Sequence, residues 1–383
     1  MLTRLEPARP QTLRRQAIRP LTPDDTAAVA GVLEQVFRSG RAAPSDELVD
    51  YVRRLCLDSP GYDPGIPPLV YEDAQGRIAG FLRVFVRRMI FDGRPIRMAC
   101  SGPFATLPEV RSKGAGVFLL RQFLSGPQDL SITDGANDEA RYLWEQLGGQ
   151  VAHLHCLGWR RLLRPAEHAG DYIAQKRPAL KPVVTACRPL SALFDSAARR
   201  LVKKGVLRPP PVHEELEEED LVPKAMAAAW PRLSAQWRLR PDYDESYLIW
   251  LLDEMSRVTS RGSLVGRQVH DPSGKMLGWY LYYLSPCRIA AVMQIAAAEN
   301  KKDQLLMCLL ADADRRGATA VQGRLEAGLT DSLYRHRCRT YYRAPTLALI
   351  HSRQSDAAYA IHAGQAFLTR ADGEWWTGFF ERL

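Results

Sequence analysis

Leu107-Pro108-Glu109-Val110-Arg111-Ser112-Lys113-Gly114-Ala115-Gly116 leads out of a strand-like segment, through a basic, glycine-bearing turn, and into the apolar run Val117-Phe118-Leu119-Leu120-Arg121-Gln122-Phe123-Leu124. This order predicts a strand end, a short turn and the start of a helix. A helix that opens straight from such a turn aims its first backbone N–H groups, and the positive end of its dipole, at one point. The ligand that such a point favours is an anion, above all a pyrophosphate. Gly114 and Gly116 allow close approach of a ligand to the backbone. Arg111 and Lys113 add positive charge.

The flanking residues extend this reading. Upstream, Leu69-Val70-Tyr71-Glu72 and Arg77–Phe85 read as two strands joined by a tight turn at Gln75-Gly76. Asp92-Gly93 reads as a second turn between strands. Downstream, Leu130-Ser131-Ile132-Thr133-Asp134 alternates apolar and polar residues as a strand does. Asn137 to Leu147 reads as a helix, stopped by Gly148-Gly149.

Together these residues resemble the GCN5-related N-acetyltransferase superfamily. Pro108, Arg111, Gly114 and Gly116 match its strand–turn–helix motif. Asn137, Ala140, Leu143, Leu147 and Gly148 match its later Asn-x-x-Ala-x-x-Leu-Tyr-x-x-Leu-Gly-Phe segment. The likeness covers about residues 17–164. It implies a mixed α/β fold, with twisted, mainly antiparallel sheets flanked by helices. It implies an acyl donor, acetyl-CoA, bound by Ala105 and Thr106 of a splayed strand, by the turn Arg111, Ser112, Lys113, Gly114, Ala115 and Gly116, and by Asn137. An amine would attack the thioester directly, with positioning and N–H groups near the developing oxyanion providing the acceleration. One position departs from the pattern. The family often carries a Tyr acid where this chain has Trp144, and an indole N–H is a donor without useful acidity. Tyr142 stands two residues earlier, about 200° around a helix.

The chain has 383 residues, 46% of them hydrophobic, which predicts two domains with ample cores. Its 7 cysteines show no metal-ligand spacing and read as thiols of a reducing compartment. The N-terminus is basic but has no apolar signal core, and no run reaches the roughly 20 apolar residues of a membrane span. A cytoplasmic location is expected, with no membrane partner. The net charge of +9 suits a polyanionic ligand. Coenzyme A is one and nucleic acid another. The basic-aromatic stretch Tyr334–Arg343 could stack on bases, but reads more simply as a strand pair with a solvated basic face.

The second half reads as a worn copy of the first. Asp73-Ala74-Gln75-Gly76-Arg77-Ile78-Ala79-Gly80-Phe81 recurs as Asp271-Pro272-Ser273-Gly274-Lys275-Met276-Leu277-Gly278-Trp279, every glycine in step. A helix over 302–315 then corresponds to the one through Val117–Leu124, but Glu299-Asn300-Lys301-Lys302 lacks the glycines of the phosphate turn. The expected organisation is a donor-binding domain over 1–164, a linker over 165–212 with a helical piece and a polyproline spacer, and a degenerate copy over 213–383. The acidic run from Glu214 to Asp220 reads as a helix start. The stretch 366–379 reads as a final hairpin turning at Asp372-Gly373.

For proton transfer the first candidate is Asp134, at the end of its strand, with Tyr142 as a further candidate acid. Asp134 and Asn137 could equally cap turns or helices. His153 and His155 would share one face of a strand, without the further ligands that a metal requires, so no metal is expected. The acceptor is a small-molecule or macromolecular amine. A non-catalytic acyl-CoA sensor or scaffold is the alternative that Trp144 keeps open, and an aminoacyl- or carrier-dependent transferase is another.

Overall fold

The computed structural model describes residues 17–38, 43–201, 216–342 and 346–377. The arginines before residue 16, the 208–212 spacer and Arg343 lie outside these. The chain divides into two compact units, Met1–Phe85 with Ser101–Pro127, and Val86–Cys100 with Gln128–Leu383.

The first unit holds β1 (Ala17–Pro20), α1 (Thr26–Leu33), α2 (Asp46–Cys56), β2 (Leu69–Glu72), the start of β3 (Ile78–Phe91), the end of β4 (Arg94–Thr106), α3 (Pro108–Arg111) and α4 (Ala115–Leu124). β1 pairs antiparallel with β2, and β2 with β3. The expected turn between β2 and β3 forms because Asp73 accepts from the amides of Gln75 and Arg77, each at 2.9 Å. Ser45 caps α2 by accepting from the Leu48 amide at 3.3 Å. The apolar faces of α1, α2 and α4 bury Val29, Leu33, Val52, Leu55, Leu119 and Leu120, each worth roughly 1.5–3 kcal/mol of transfer free energy.

The second unit begins with the β3–β4 hairpin tip. Asp92 (φ 48°) and Gly93 (φ 80°) both adopt positive φ there, the conformation a two-residue turn of this twist requires. There follow β5 (Leu130–Ala136), α5 (Asp138–Gln146), β6 (Gln150–Val151), α6 (His153–Cys156), β7 (Leu157–Leu162), α7 (Pro165–Lys176), α8 (Lys181–Leu201), β8 (Glu217–Asp220), α9 (Pro223–Ser234), β9 (Leu239–Pro241), α10 (Glu245–Ser256), β10 (Ser263–His270), β11 (Met276–Leu284), β12 (Ile289–Ala297), α11 (Lys302–Arg315), β13 (Ala320–Arg324), α12 (Thr330–Arg335), β14 (Arg339–Tyr342), β15 (Leu347–Ser352) and α13 (Ser355–His362). One sheet runs β4-β5-β15-β6, and a second runs β14-β7-β13-β12-β11-β10-β8. Helices flank both, and pairing is antiparallel except at β4–β5 and β12–β13. The fold class is thus the mixed α/β, mainly antiparallel one expected.

Two strands are exchanged between the sequence halves. β15, from the C-terminal half, lies between β5 and β6. β7, from the N-terminal half, lies between β13 and β14. Each lies one strand in from the end of its sheet, so the edge strands β6 and β14 depend on a strand distant in sequence. Trp159 of β7 donates to the Arg324 carbonyl at 3.1 Å and joins the core of Tyr280, Tyr282, Leu306, Leu309 and Val321.

Four local expectations are corrected. The described part of the acidic run forms β8, Glu217–Asp220, rather than a helix, because it pairs with β10 and Glu218 accepts from the Tyr280 hydroxyl at 2.6 Å and from Arg315 at 3.1 Å. The segment after β7, expected as a linker with one helical piece, folds as the α7–α8 helical hairpin. His153 and His155 fall on α6, one exposed and one buried, rather than on one strand face. Tyr334 and Arg335 end α12, so the basic stretch is a helix end followed by β14, not a strand pair.

Candidate functional site

The turn after β4 is built as its sequence suggests. Leu107 is anchored by its amide, which donates to the Ala79 carbonyl at 2.9 Å. Pro108 opens α3, where its missing N–H costs nothing. Lys113 and Gly114 then donate inward, to Val110 and Arg111 carbonyls at 3.1 and 3.0 Å. Gly114 takes the left-handed conformation (φ 77°) at the mouth of α4, and no side chain caps that helix. The amides that open α4 therefore belong to Ala115, Gly116 and Val117. Arg111, Ser112 and Lys113 are exposed around them, Arg111 steadied by donation from Nε to the Thr106 carbonyl at 3.1 Å. Ala105 is buried, and Thr106 half-buried, at the end of β4. This constellation is cationic and uncapped, with Ala115 buried and Gly116 and Val117 half-buried behind the exposed Arg111, Ser112 and Lys113. It can hold an anion.

The parallel pairing of β4 with β5 runs through Met98–Leu130, Ala99–Ser131 and Cys100–Ile132, and stops before either strand ends. Just past that point, β5 delivers the other expected residues. Asn137 caps α5, accepting from the Ala140 amide at 2.9 Å. Trp144 is only 2% exposed, whereas Tyr142 is 62% exposed on the opposite side of α5.

Asp134 is fully enclosed. Its Oδ2 takes Arg324 at 3.1 Å and Arg370 at 3.4 Å, and its Oδ1 accepts the amides of Glu374 and Trp375, both at 3.0 Å. Burial opposes its charge, yet Arg370 and Arg324 hold the carboxyl below the usual range. Glu374 in turn accepts from the amides of Asp134 and Gly135, the Thr133 hydroxyl and the Cys100 thiol. Burial and the Asp134 charge push Glu374 upward. Gly373 is required by this closeness, since a Cβ there would fall inside the Asp134 carboxylate. The whole stretch 366–377 is nearly all buried and irregular, with a short helical turn over Trp375–Thr377, so the expected hairpin is absent from its described part. Asp372 folds it locally by accepting from the Thr369 amide at 2.8 Å. Arg324, Arg370 and Glu374 escaped sequence reasoning because they meet Asp134 only across 190 to 240 positions.

His155 lies in the same region. Among the described residues neither ring nitrogen finds a hydrogen-bond partner, and burial with nearby Arg324 drives its pKa down to about 3. No group of three or more His, Cys, Asp or Glu among the described residues could hold a metal ion.

In the second half, β12 and β13 pair in parallel only through Ile289–Ala320, Ala290–Val321 and Ala291–Gln322, and β12 bulges at Met293 opposite β11. The Met293 carbonyl accepts from the Ala371 amide at 3.3 Å, Gln294 donates to Thr369 at 3.0 Å, and Arg324 donates to the Leu368 carbonyl at 2.6 Å. The chain's own 366–377 stretch thus occupies the Met293 carbonyl and the Gln294 and Arg324 side chains beyond the split. In place of a glycine turn stands a short 3-10 turn, Glu299–Lys301.

No helix among the described residues is long and apolar enough to cross a membrane. A groove of about 530 Å³ in the first unit is lined by Arg19, Asp25, Gly31, Gln35, Arg77 and Ala79. Its charges are internally matched, Arg19 with Asp25 and Glu72, and Arg77 with Asp73.

No family model and no curated protein matches this sequence. Solved structures do. A GCN5-related N-acetyltransferase from Anabaena variabilis superposes with TM-score 0.57 at 14% identity, over 89% of this chain and 74% of that one. A conserved protein from Enterococcus faecalis, described as a probable N-acyltransferase, gives 0.56 at 10% identity, over 88% and 73%. A GCN5-related N-acetyltransferase from Kribbella flavida gives 0.52 at 14% identity, over 90% and 72%. The chain has the fold of these proteins.

Proposed function

We propose that this chain is an acyl-CoA-dependent N-acyltransferase that moves an acetyl group from acetyl-CoA to a primary amine. The observation that carries the reading is the uncapped start of α4, where no side chain takes the first amides and the half-buried Gly116 and Val117 stand next in sequence to exposed Arg111, Ser112 and Lys113. These groups would hold the donor's pyrophosphate, with the end of β4 at Ala105 and Thr106 beside them. The acceptor nitrogen bonds to the thioester carbonyl carbon, the C–S bond breaks, and the thiolate leaves. The ammonium proton passes to solvent.

The chain's contribution is placement rather than an acid–base pair. Asp134 has both oxygens committed to guanidinium and amide donors, which favours a structural role over that of a base. Trp144 fills the helix position where the fold's relatives often place an acid. Tyr142 faces away from it and remains the alternative proton donor.

The second half is, on this reading, a degenerate copy of the first. Its element order from β10 to β13 repeats that of β2 to β5, and residues 366–377 fill the place of a donor. One acyl donor then binds per chain.

The test is calorimetry of acetyl-CoA with the whole chain, followed by thiol release across a panel of primary amines. Binding at one site per chain, with turnover on some amine, supports the proposal. Binding without turnover on any amine would make the chain an acyl-CoA sensor, and absence of binding would overturn both.

A further inference from the structure

The α7–α8 hairpin turns an apolar stripe outward. Along α8, Val183, Cys187, Leu190, Phe194, Ala197 and Leu201 are all exposed, with Leu190 at 68%, Phe194 at 65% and Leu201 at 87%. Their spacing alternates four and three residues over the length of the helix, the hydrophobic repeat of a helix that packs along another helix. Leu193, also exposed, widens the stripe. The opposite face of α8 is already used. Asp195 is buried and accepts the amides of Ala166 and Glu167 at the start of α7, both at 3.0 Å. Val184 meets Gly170, and Arg188 meets Asp171 at 3.2 Å. Arg199 is held by Asp314 at 2.5 Å. The hairpin is therefore fixed to its unit by one face of α8, and the apolar repeat is not that face.

We propose that this stripe is the contact surface for a second copy of the chain, with the two α8 helices packed antiparallel about a two-fold axis near Ala192. The six stripe positions are arranged symmetrically about residue 192. A two-fold copy therefore sets Leu190 against Phe194, Cys187 against Ala197, and Val183 against Leu201 of the other chain. Opposed helix dipoles favour this direction over a parallel pair. The stripe from residue 183 to 201 is about 27 Å long at 1.5 Å per residue. A strip one helix width (about 10–12 Å) along that length has a footprint of roughly 270–320 Å² per copy, against the roughly 800 Å² of accessible surface per partner of a stable interface. Tyr172 and Ile173, exposed on α7, extend it. The flank through Ala186 and Leu193 is apolar until it meets the exposed Arg200 at its end, which suits a contact that is dry in the middle.

The test uses the whole chain. Sedimentation equilibrium at micromolar concentration is expected to give a dimer, and Phe194→Glu a monomer with acetyl-CoA binding unchanged. Oxidising the Ala197→Cys variant is expected to give a covalent dimer through Cys187, lost when Cys187→Ser is added. Oxidising the unaltered chain should give none through Cys187. A monomeric wild type, or a dimer indifferent to Phe194→Glu, overturns the proposal. A Cys187–Cys187 bridge in the unaltered chain overturns the antiparallel arrangement. Monomers that co-sediment with phosphatidylserine vesicles through this stripe would assign it to a membrane surface instead.

Discussion

Asp134 and Glu374 clasp each other through main-chain donors. The Asp134 amide reaches both Glu374 carboxylate oxygens at 2.9 Å, and the Glu374 amide reaches Asp134 Oδ1 at 3.0 Å. Each acid thus caps the other's backbone, and Arg324 and Arg370 both pair with Asp134. The clasp ties β5 to the 366–377 stretch, which in turn bonds to β12. It is the point at which the end of the chain is locked into the second unit.

Removing the Asp134 charge leaves Arg324 and Arg370 buried opposite a neutral group. Asp134→Asn is expected to cost about 3–5 kcal/mol, read as a fall in the urea midpoint. A loss below about 1 kcal/mol would show that the clasp contributes little. If the variant stays folded at assay temperature yet loses a hundredfold or more in kcat, Asp134 is a catalytic base after all.

Gly114 holds φ at 77°, a conformation that strains any β-branched residue. Gly114→Val is expected to weaken acetyl-CoA binding at least tenfold in calorimetry, with the far-ultraviolet circular dichroism unchanged. Arg111→Ala with Lys113→Ala should lower affinity more at low salt than at high salt, because exposed charges are screened. Undiminished affinity in Gly114→Val would move the donor site elsewhere.

His155 is neutral in the folded chain, with its pKa down at about 3 against an ordinary 6.5. The unfolded chain takes up its proton first, so stability present above pH 6.5 is lost as pH falls towards 3. Between pH 7.5 and 4.5 this group alone should remove roughly 2–3 kcal/mol. His155→Leu is expected to flatten that part of the pH dependence in urea melts at the two pH values. An unchanged slope would mean that His155 is solvated or paired in solution.

Tyr142 lies exposed on the side of α5 away from Trp144. Tyr142→Phe should therefore keep kcat within about threefold, since only a positioned acid gains the 10²–10⁴-fold typical of proton transfer. A fall of a hundredfold, with KM unchanged, would restore it as the acid that protonates the thiolate.

Local signals carried much of the fold. The β2–β3 and β10–β11 hairpins followed from Asp and Gly at their turns, α11 from its apolar spacing, and the α4 turn from two glycines and a proline. What failed was non-local. The acidic run looks like a helix start because charge near an N-terminus is common; pairing with β10, with Tyr280 and Arg315 on Glu218, makes β8 of its described part. Asp372-Gly373 looked like a hairpin tip, but Asp372 turns back on Thr369, and Gly373 is needed to clear Asp134. The positions of β7 and β15 had no signal at all, since strand patterning names a face and not a neighbour.

The placement of β15 also sets a timetable for biosynthesis. A ribosome has released β5 and β6 about 200 residues before it supplies the strand that joins them, an interval of roughly 10–40 s at 5–20 residues per second. During that wait two unpaired edges, each a template for a stray strand, stand exposed on the nascent chain. Chaperone occupancy should peak in that window, and a stop codon placed before residue 347 should yield aggregate rather than a smaller working protein.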